Sequence, residues 1–227
     1  MKNISIIAVL FCSINIIAQN YQVRKVDSFN ALSVFGSVDV ELFSGNSDSI
    51  KLESDQLILD DVTVKNEGQT LRISLKENIF DKHRSVKVKI SKSSFKAIKL
   101  TAGAEISSAQ IITGDTLSLA SRNGANITLK IEANRIISDI GEGSTVSIEG
   151  KCNSLRVDAS SGGLYNGYEM KSEDAVVKSN AGAIVKVYAT NDLDAYASTG
   201  GQVSYRGEPK KLSERTVFGG KIEKVVE

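Results

Sequence analysis

The sequence predicts an all-β protein: a parallel β-solenoid, or β-helix, with about 20 residues per turn, preceded by an irregular antiparallel β region. Three observations predict this fold. Glycine-containing segments recur at nearly constant spacing, the stretches between them alternate apolar and polar residues, and the chain has one proline and no tryptophan. With only 6% aromatic residues, the core must rest on Val, Ile, Leu and Ala, which favours stacked strands over helices.

The repeated segment consists of two polar or small residues, a glycine, a small residue, any residue and an apolar one. Its aligned glycines lie 21, 19, 19, 20 and 18 residues apart: Gly103, Gly124, Gly143, Gly162, Gly182 and Gly200. A glycine followed by Ala, Gly or Ser favours a tight corner, where φ is positive or close stacking leaves no room for a side chain. A phosphate-binding glycine loop requires a helix after it, and no helical period follows these glycines. We therefore assign them a structural role at the corners.

The first eighteen residues have the pattern of a secretory signal peptide. Lys2 supplies a positive charge, Ile4 to Ile17 is an almost unbroken apolar run, and cleavage is predicted between Ala18 and Gln19. A membrane anchor is the alternative, but the run is shorter than the ~20 residues that span a bilayer. We predict an exported protein without a transmembrane segment in its mature chain, located in the periplasm, at the outer membrane or outside the cell.

Loss of the signal peptide leaves few residues suited to chemistry. Removing Lys2 lowers the 28 basic residues to 27, which equals the 27 acidic ones. This balance argues against a nucleic-acid partner, which would require a strong positive field. Removing Cys12 leaves Cys152 alone, so no internal disulfide is predicted, and we interpret Cys152 as a small residue near a turn. The single histidine, His83, lies in a charged stretch, and we assign no catalytic residue, cofactor or metal site.

Two segments of the mature chain differ in their regularity. Residues 19–95 contain clean alternating strands such as Val38–Leu42 and Val86–Ile90, without the glycine repeat, and are expected to cap the solenoid. Residues 96–227 are expected to form the glycine-punctuated solenoid, and 19–227 to be one continuous unit. Eight basic residues between 76 and 99 are interpreted as the outward half of a soluble strand. The alternative is a site for acidic polysaccharide or lipid headgroups.

Several of these features together resemble one bacterial family. They are the repeated corners, the opening Phe29–Val34 with Gly36, and the ending Tyr205-Arg206-Gly207-Glu208-Pro209. From Phe29 to Phe218 the chain resembles the "putative auto-transporter adhesin, head GIN domain" family, a bacterial domain of unknown function. The resemblance implies an exported β-helical protein with a role in adhesion. It implies no catalytic residues.

Three functional hypotheses follow. The leading one is a non-enzymatic binding or adhesion module of the cell envelope or surface, with a polysaccharide or an envelope protein as partner. The second is a polysaccharide-acting enzyme on a β-helix scaffold, which requires paired carboxylates. The third is a structural, self-assembling envelope protein. The carboxylates available to the second hypothesis lie near turns: Asp139, Glu142, Asp158, Asp192 and Asp194.

Overall fold

The computed structural model describes residues 20–54, 59–75 and 85–226. The predicted signal peptide, its cleavage site at Ala18 and Gln19, and His83 lie outside these residues. The described residues form sixteen strands and one 3₁₀ turn, Leu59–Asp61. The strands are β1 (Asn20–Lys25), β2 (Ala31–Phe35), β3 (Val38–Phe43), β4 (Asn46–Ser54), β5 (Val62–Glu67), β6 (Thr70–Leu75), β7 (Val86–Lys92), β8 (Ala97–Thr101), β9 (Glu105–Arg122), β10 (Asn126–Ile140), β11 (Thr145–Ala159), β12 (Leu164–Ser179), β13 (Ile184–Ser198), β14 (Gln202–Arg206), β15 (Lys211–Val217) and β16 (Lys221–Lys224).

The predicted β-solenoid is confirmed. Stacked parallel coils form about seven turns of about 19 residues each. Strands β9 to β13 pair in parallel with their neighbours in sequence order, and β14, β15 and β16 continue the stack. The near-constant spacing of the glycines thus corresponds to the length of one coil.

Each of the six junctions from β8 to β14 is a tight turn that contains one of the repeated glycines. In the turn between β9 and β10, Asn123 has a φ of 55° and Gly124 a φ of 72°. Two successive residues with positive φ define a type I′ turn, whose second position favours glycine. The Gly124 N–H donates to the carbonyl of Glu142 in the next turn at 3.0 Å. The same bond joins successive turns from Gly103 to Gly182, so the corners form a hydrogen-bonded column.

Each long strand passes through two regions of alternating burial, which we call the first and second sides of a coil. In β10 the first side is 126–131 and the second is 136–140, and the exposed residues Asn134 and Arg135 lie between them. Alternate side chains on both sides point into one continuous core that is almost entirely aliphatic. The remaining side chains point outwards in rows, one row member per turn, at the ~4.8 Å spacing of neighbouring strands.

The N-terminal part combines antiparallel and parallel pairing. β1 pairs with β4, β4 with β7 and β5 with β6, all antiparallel. In contrast, β2 stacks in parallel between β6 and β8, and β3 between β7 and β9. The segment expected to cap the solenoid, 19–95, therefore also contributes parallel strands to the stack.

The order of the coils in space differs from their order in the chain. The coil of β2 and β3 lies between the coil of β6 and β7 and the coil of β8 and β9. The chain returns past it after β7, where Phe29 and Phe95 pack with ring centroids 6.3 Å apart. Ser94 then pairs in parallel with Thr113 of the following coil. This part of the solenoid is thus formed by two segments that are distant in sequence, β2–β3 and β8–β9.

No helix within the described ranges is long and apolar enough to cross a membrane.

Candidate ligand-binding groove

A bulge in β12 breaks the regular alternation of the first side. The pairing of β12 with β13 is interrupted between Asn166 and Lys171, and its pairing with β11 shifts between Ser147 and Gly150. Gly167 and Met170 are buried, whereas Tyr168 and Glu169 between them both reach the surface. Bulges re-aim side chains in this way and are common near functional sites.

A groove of about 240 Å³ runs beside this bulge across several turns of the first side. Its floor contains Thr128, Ser147 and Asn166, which are direct partners in the parallel register of β10, β11 and β12. The complete lining is Ser108, Thr128, Leu129, Lys130, Ser147, Ile148, Glu149, Asn166, Tyr168 and Glu169. Hydroxyl and amide groups therefore recur along the floor once per turn, and the Tyr168 ring lies beside this row, two residues after Asn166 in β12.

Two cations from later turns surround the Tyr168 ring. The Arg206 guanidinium carbon lies 4.3 Å from the ring centroid and the Lys186 Nζ lies 5.8 Å from it. Arg206 belongs to β14, so its side chain passes over β13 to reach the ring in β12. Its Nη1 lies 3.6 Å from Glu169 Oε1. The cations and Glu169 thus form one polar cluster around an aromatic surface.

The cation inside the groove is paired closely with an acid. Lys130 Nζ lies 2.6 Å from Glu149 Oε1 in the next turn. Close exposed pairs of this kind contribute little to stability, about 0–1 kcal/mol, but they neutralise the local charge. The charge of Lys130 is therefore neutralised. At the Tyr168 end of the groove, Lys186 and Arg206 have no acidic partner as close as this among the described residues.

A second concave surface lies where the two sides of the coils meet. Asn134 Nδ2 donates to Asp115 at 3.2 Å, and Asn153 Nδ2 donates to Asn134 at 2.9 Å. These polar side chains thus form hydrogen bonds with one another from turn to turn. The neighbouring Cys152 is buried, and burial followed by the charge of Glu173 raises its pKa to about 12. The thiol is therefore protonated at neutral pH and is a poor nucleophile.

The turn carboxylates considered for catalysis do not line the groove. Asp139 and Glu142 both contact Arg122, at 2.6 Å and 3.4 Å. Asp158 is the register partner of Asp139 on the second side, while Asp192 and Asp194 pair with Lys211 and Ser213 of β15. Among the described residues, no group of three or more His, Cys, Asp and Glu could hold a metal ion.

The basic stretch around β7 is partly described. Lys87 and Lys89 point outwards from β7, where Lys87 lies 3.9 Å from Asp39 and Lys89 lies 3.1 Å from Glu53. Lys92 lies over the Phe29 ring at 5.1 Å. Lys76, Lys82 and Arg84 lie outside the described residues.

The Tyr168 cluster was not among the sites that the sequence predicted. Its residues are unremarkable one by one, and they meet only because the coils stack. A sequence signal existed: Asn166-Gly167-Tyr168 has a glycine where Ser147-Ile148-Glu149 and Lys186-Val187-Tyr188 have an apolar side chain at the same place in neighbouring repeats. An irregular repeat in a regular array is where a bulge is expected.

Comparisons with known proteins agree with this fold. The sequence model of the family described as "Putative auto-transporter adhesin, head GIN domain" matches residues 28–209. No curated protein matches the chain. A putative adhesin from Bacteroides fragilis is similar in structure, with a TM-score of 0.78 and 16% identity over 91% of this chain and 97% of that one. A putative adhesin from Parabacteroides merdae has a TM-score of 0.74 and 16% identity over 92% of this chain and 96% of that one. A putative lipid binding protein from Parabacteroides distasonis has a TM-score of 0.72 and 18% identity over 92% of this chain and 97% of that one.

Proposed function

Because this chain belongs to the family described as "Putative auto-transporter adhesin, head GIN domain", we propose that it is an exported, non-enzymatic binding module of the cell envelope or surface that holds a polysaccharide chain in the groove beside Tyr168. The export signal predicted at residues 1–18 supports the location. The adhesin names of its structural neighbours support a binding role.

The observation that carries the proposal is the row Thr128, Ser147 and Asn166 with Tyr168 beside it. Parallel stacking repeats hydrogen-bonding groups at ~4.8 Å along the solenoid axis. A polysaccharide presents hydroxyl groups in a similarly repeating row, and the apolar face of a sugar ring packs against an aromatic side chain. The lining of the groove spans β9 to β12, so a polymer that lies along the axis can contact several turns.

A non-enzymatic role is supported by the position of the carboxylates. Hydrolysis of a glycosidic bond requires two carboxyl groups on opposite sides of the bond, about 5–9.5 Å apart. In the groove, Glu149 is engaged by Lys130 at 2.6 Å and Glu169 lies 3.6 Å from Arg206. Both are thus placed to balance charge beside the floor of the groove.

The test is calorimetric titration of the chain beginning at Gln19 with a panel of neutral and acidic polysaccharides, with parallel assays for new reducing or unsaturated ends. We expect saturable binding without product. Tyr168→Ala should lower the affinity about tenfold or more, because an aromatic anchor and one wall of the groove are lost.

The matched control is Tyr196→Ala. Tyr196 lies on the second side with Arg215 at 4.8 Å from its ring centroid, an arrangement similar to that of Tyr168 and Arg206. We expect this variant to bind as the unaltered chain does. Product formation would show an enzyme instead. Equal effects of the two tyrosine variants, or no binding to any polymer, would remove the groove as a polysaccharide site and favour a protein partner.

A further inference from the structure

The Lys186–Arg206 end of the groove carries more positive charge than its acids neutralise. Glu169 is the acid that contacts Arg206, at 3.6 Å, and its side chain is 75% exposed. Within the described residues, Lys186 has no carboxylate within ion-pair distance, and Arg206 Nε is buried without a hydrogen-bond acceptor. One loosely held carboxylate therefore faces two cations.

Arg206 is held in place before any ligand arrives. Arg206 is only 29% exposed, because its side chain crosses β13 and lies on the Tyr168 ring. Stacking on an aromatic face restricts the guanidinium to a plane and leaves its edge free for hydrogen bonds. Lys186, the register partner of Asn166, stands directly beside the floor row. A ligand that reaches Asn166 is thus adjacent to both positive groups.

We propose that the groove is specific for an anionic polysaccharide, and that Lys186 and Arg206 bind an acidic group of the polymer next to Tyr168. This inference rests on the proposed polysaccharide-binding function. A planar carboxylate, as in a uronic acid, matches the donor fork of an arginine, and a sulfate ester offers similar oxygen acceptors. Glu169 exchanges its contact with Arg206 for water when the ligand anion binds, which its exposure allows.

The probes are polygalacturonate, its fully methyl-esterified form and dextran sulfate. We expect polygalacturonate to bind at least about tenfold more tightly than the ester, because esterification removes the charge and keeps the sugar backbone. Its affinity should fall when the ionic strength is raised from about 0.05 M to about 0.5 M, since partly exposed charges are screened by salt. Dextran sulfate distinguishes a carboxylate-specific site from one that accepts any anionic polymer.

Two variants locate the anion site. Arg206→Gln and Lys186→Met should each lower the affinity for polygalacturonate about tenfold and lower the weaker affinity for the ester much less, so that the difference between acid and ester shrinks. The matched control is Arg215→Gln, which removes a cation from Tyr196 on the second side and should change neither. Arg206 has a buried Nε without a hydrogen-bond partner among the described residues, so its replacement can disturb the packing; Lys186→Met keeps the test available if Arg206→Gln does not fold.

The outcomes separate this inference from the function on which it rests. Tyr168-dependent binding that is equal for the acid and its ester would overturn the anionic specificity and leave the polysaccharide site standing. Equal losses of polygalacturonate affinity in Arg206→Gln and Arg215→Gln would show non-specific electrostatic attraction and would also overturn the anionic specificity of the groove. Absence of Tyr168-dependent binding to every polymer would overturn both.

Discussion

Tyr165 shows how a single residue is fitted into the repeating core. Its partners in the adjacent turns are Val146 and Val185, so an aromatic ring occupies a place where the neighbours have smaller side chains. Gly167, two residues later, provides the room, since a Cβ there would lie 2.5 Å from Tyr165 Cε1. The Tyr165 hydroxyl is buried without a hydrogen-bond partner among the described residues. Burial, and then the nearby Cys152, holds its pKa well above the ordinary value.

We predict that Tyr165→Val lowers the free energy of unfolding by about 2–4 kcal/mol, because a large buried ring leaves a cavity. The double variant Tyr165→Val with Gly167→Val should recover at least half of this loss, since it restores the side chains typical of the neighbouring repeats. The measurement is urea unfolding followed by circular dichroism.

Tyr165→Phe is the matched control for the ring without its hydroxyl. Removing an unsatisfied buried hydroxyl leaves stability equal or raises it. A loss in Tyr165→Phe as large as that in Tyr165→Val would show that the hydroxyl has a partner. A double variant less stable than Tyr165→Val would contradict the volume compensation.

At the scale of the strand and the turn, glycines of the same type have different physical roles. At Gly124, in a type I′ corner, φ is 72° and a Cβ would meet nothing within 4 Å. At Gly150, in the middle of β11, φ is 121° and a Cβ would lie 2.1 Å from the carbonyl oxygen of Ile131. The corner therefore requires only an unusual φ, whereas Gly150 also requires the absence of a side chain.

We predict that Gly124→Ala costs about 1–2 kcal/mol, the strain of a left-handed alanine. Gly150→Ala should cost about 3 kcal/mol or more, because the parallel ladder holds the Ile131 carbonyl in place. Comparison of urea midpoints of the two variants checks this. Equal losses of stability in the two variants would mean that the positive φ alone, and not the close approach of β10, makes a glycine necessary at Gly150.

The antiparallel strands near the N-terminus share a partly exposed ion-pair cluster. Glu53 of β4 is 13% exposed and lies 2.7 Å from Lys51 and 3.1 Å from Lys89 of β7. Hydrogen bonds from Lys51 and then Lys89 lower the pKa of Glu53 below its ordinary value of 4.5. A carboxylate whose pKa is lower in the folded state stabilises the fold above its unfolded pKa, and this contribution disappears as the pH falls through the folded value.

We therefore predict that Glu53→Gln lowers the free energy of unfolding by about 1 kcal/mol at pH 7. The difference should shrink as the pH falls below 4.5 and vanish once Glu53 is protonated in both states. Glu67→Gln is the matched control, because its exposed pair with Arg72, at 3.1 Å, should contribute almost nothing. A loss in Glu53→Gln that is the same at all pH values would contradict the linkage.

For the molecule as a whole, the regular coils were predictable from sequence and the irregular parts were not. The spacing from Gly103 to Gly200 predicts the period, because each corner of a solenoid needs the same backbone geometry. Alternation in β2 and β3 predicts which side chains are buried, but it does not tell which strand lies next to which. The placement of this coil between two later ones follows from the return of the chain near Phe95. Likewise, Arg206 meets Tyr168 only through the stacking of three coils and a bulge.

The C-terminal coil of the described solenoid carries charge where the preceding coils are apolar. Glu214 stacks on Ala195, and Lys224 stacks on Tyr205, both of which are buried. Burial, and then the neighbouring Glu214 carboxylate, raises the pKa of Tyr205. Lys224 lies 2.5 Å from Glu208. Inward-pointing charges are a common means of preventing edge strands from pairing with another chain.

We predict that the chain beginning at Gln19 remains monomeric at micromolar concentration, and that Glu214→Leu combined with Lys224→Leu forms end-to-end dimers or larger species. The variant replaces the inward charges with apolar surface beside the edges of β15 and β16 that no other described strand covers, so a second copy can continue the stack. Sedimentation velocity over a range of concentrations measures this. Ser213→Leu, which adds an apolar side chain to the outward row of the same strand, is the control and should stay monomeric. Concentration-dependent assembly of the unaltered chain would instead support a self-assembling envelope protein, because the charges at this end would then fail to prevent stacking.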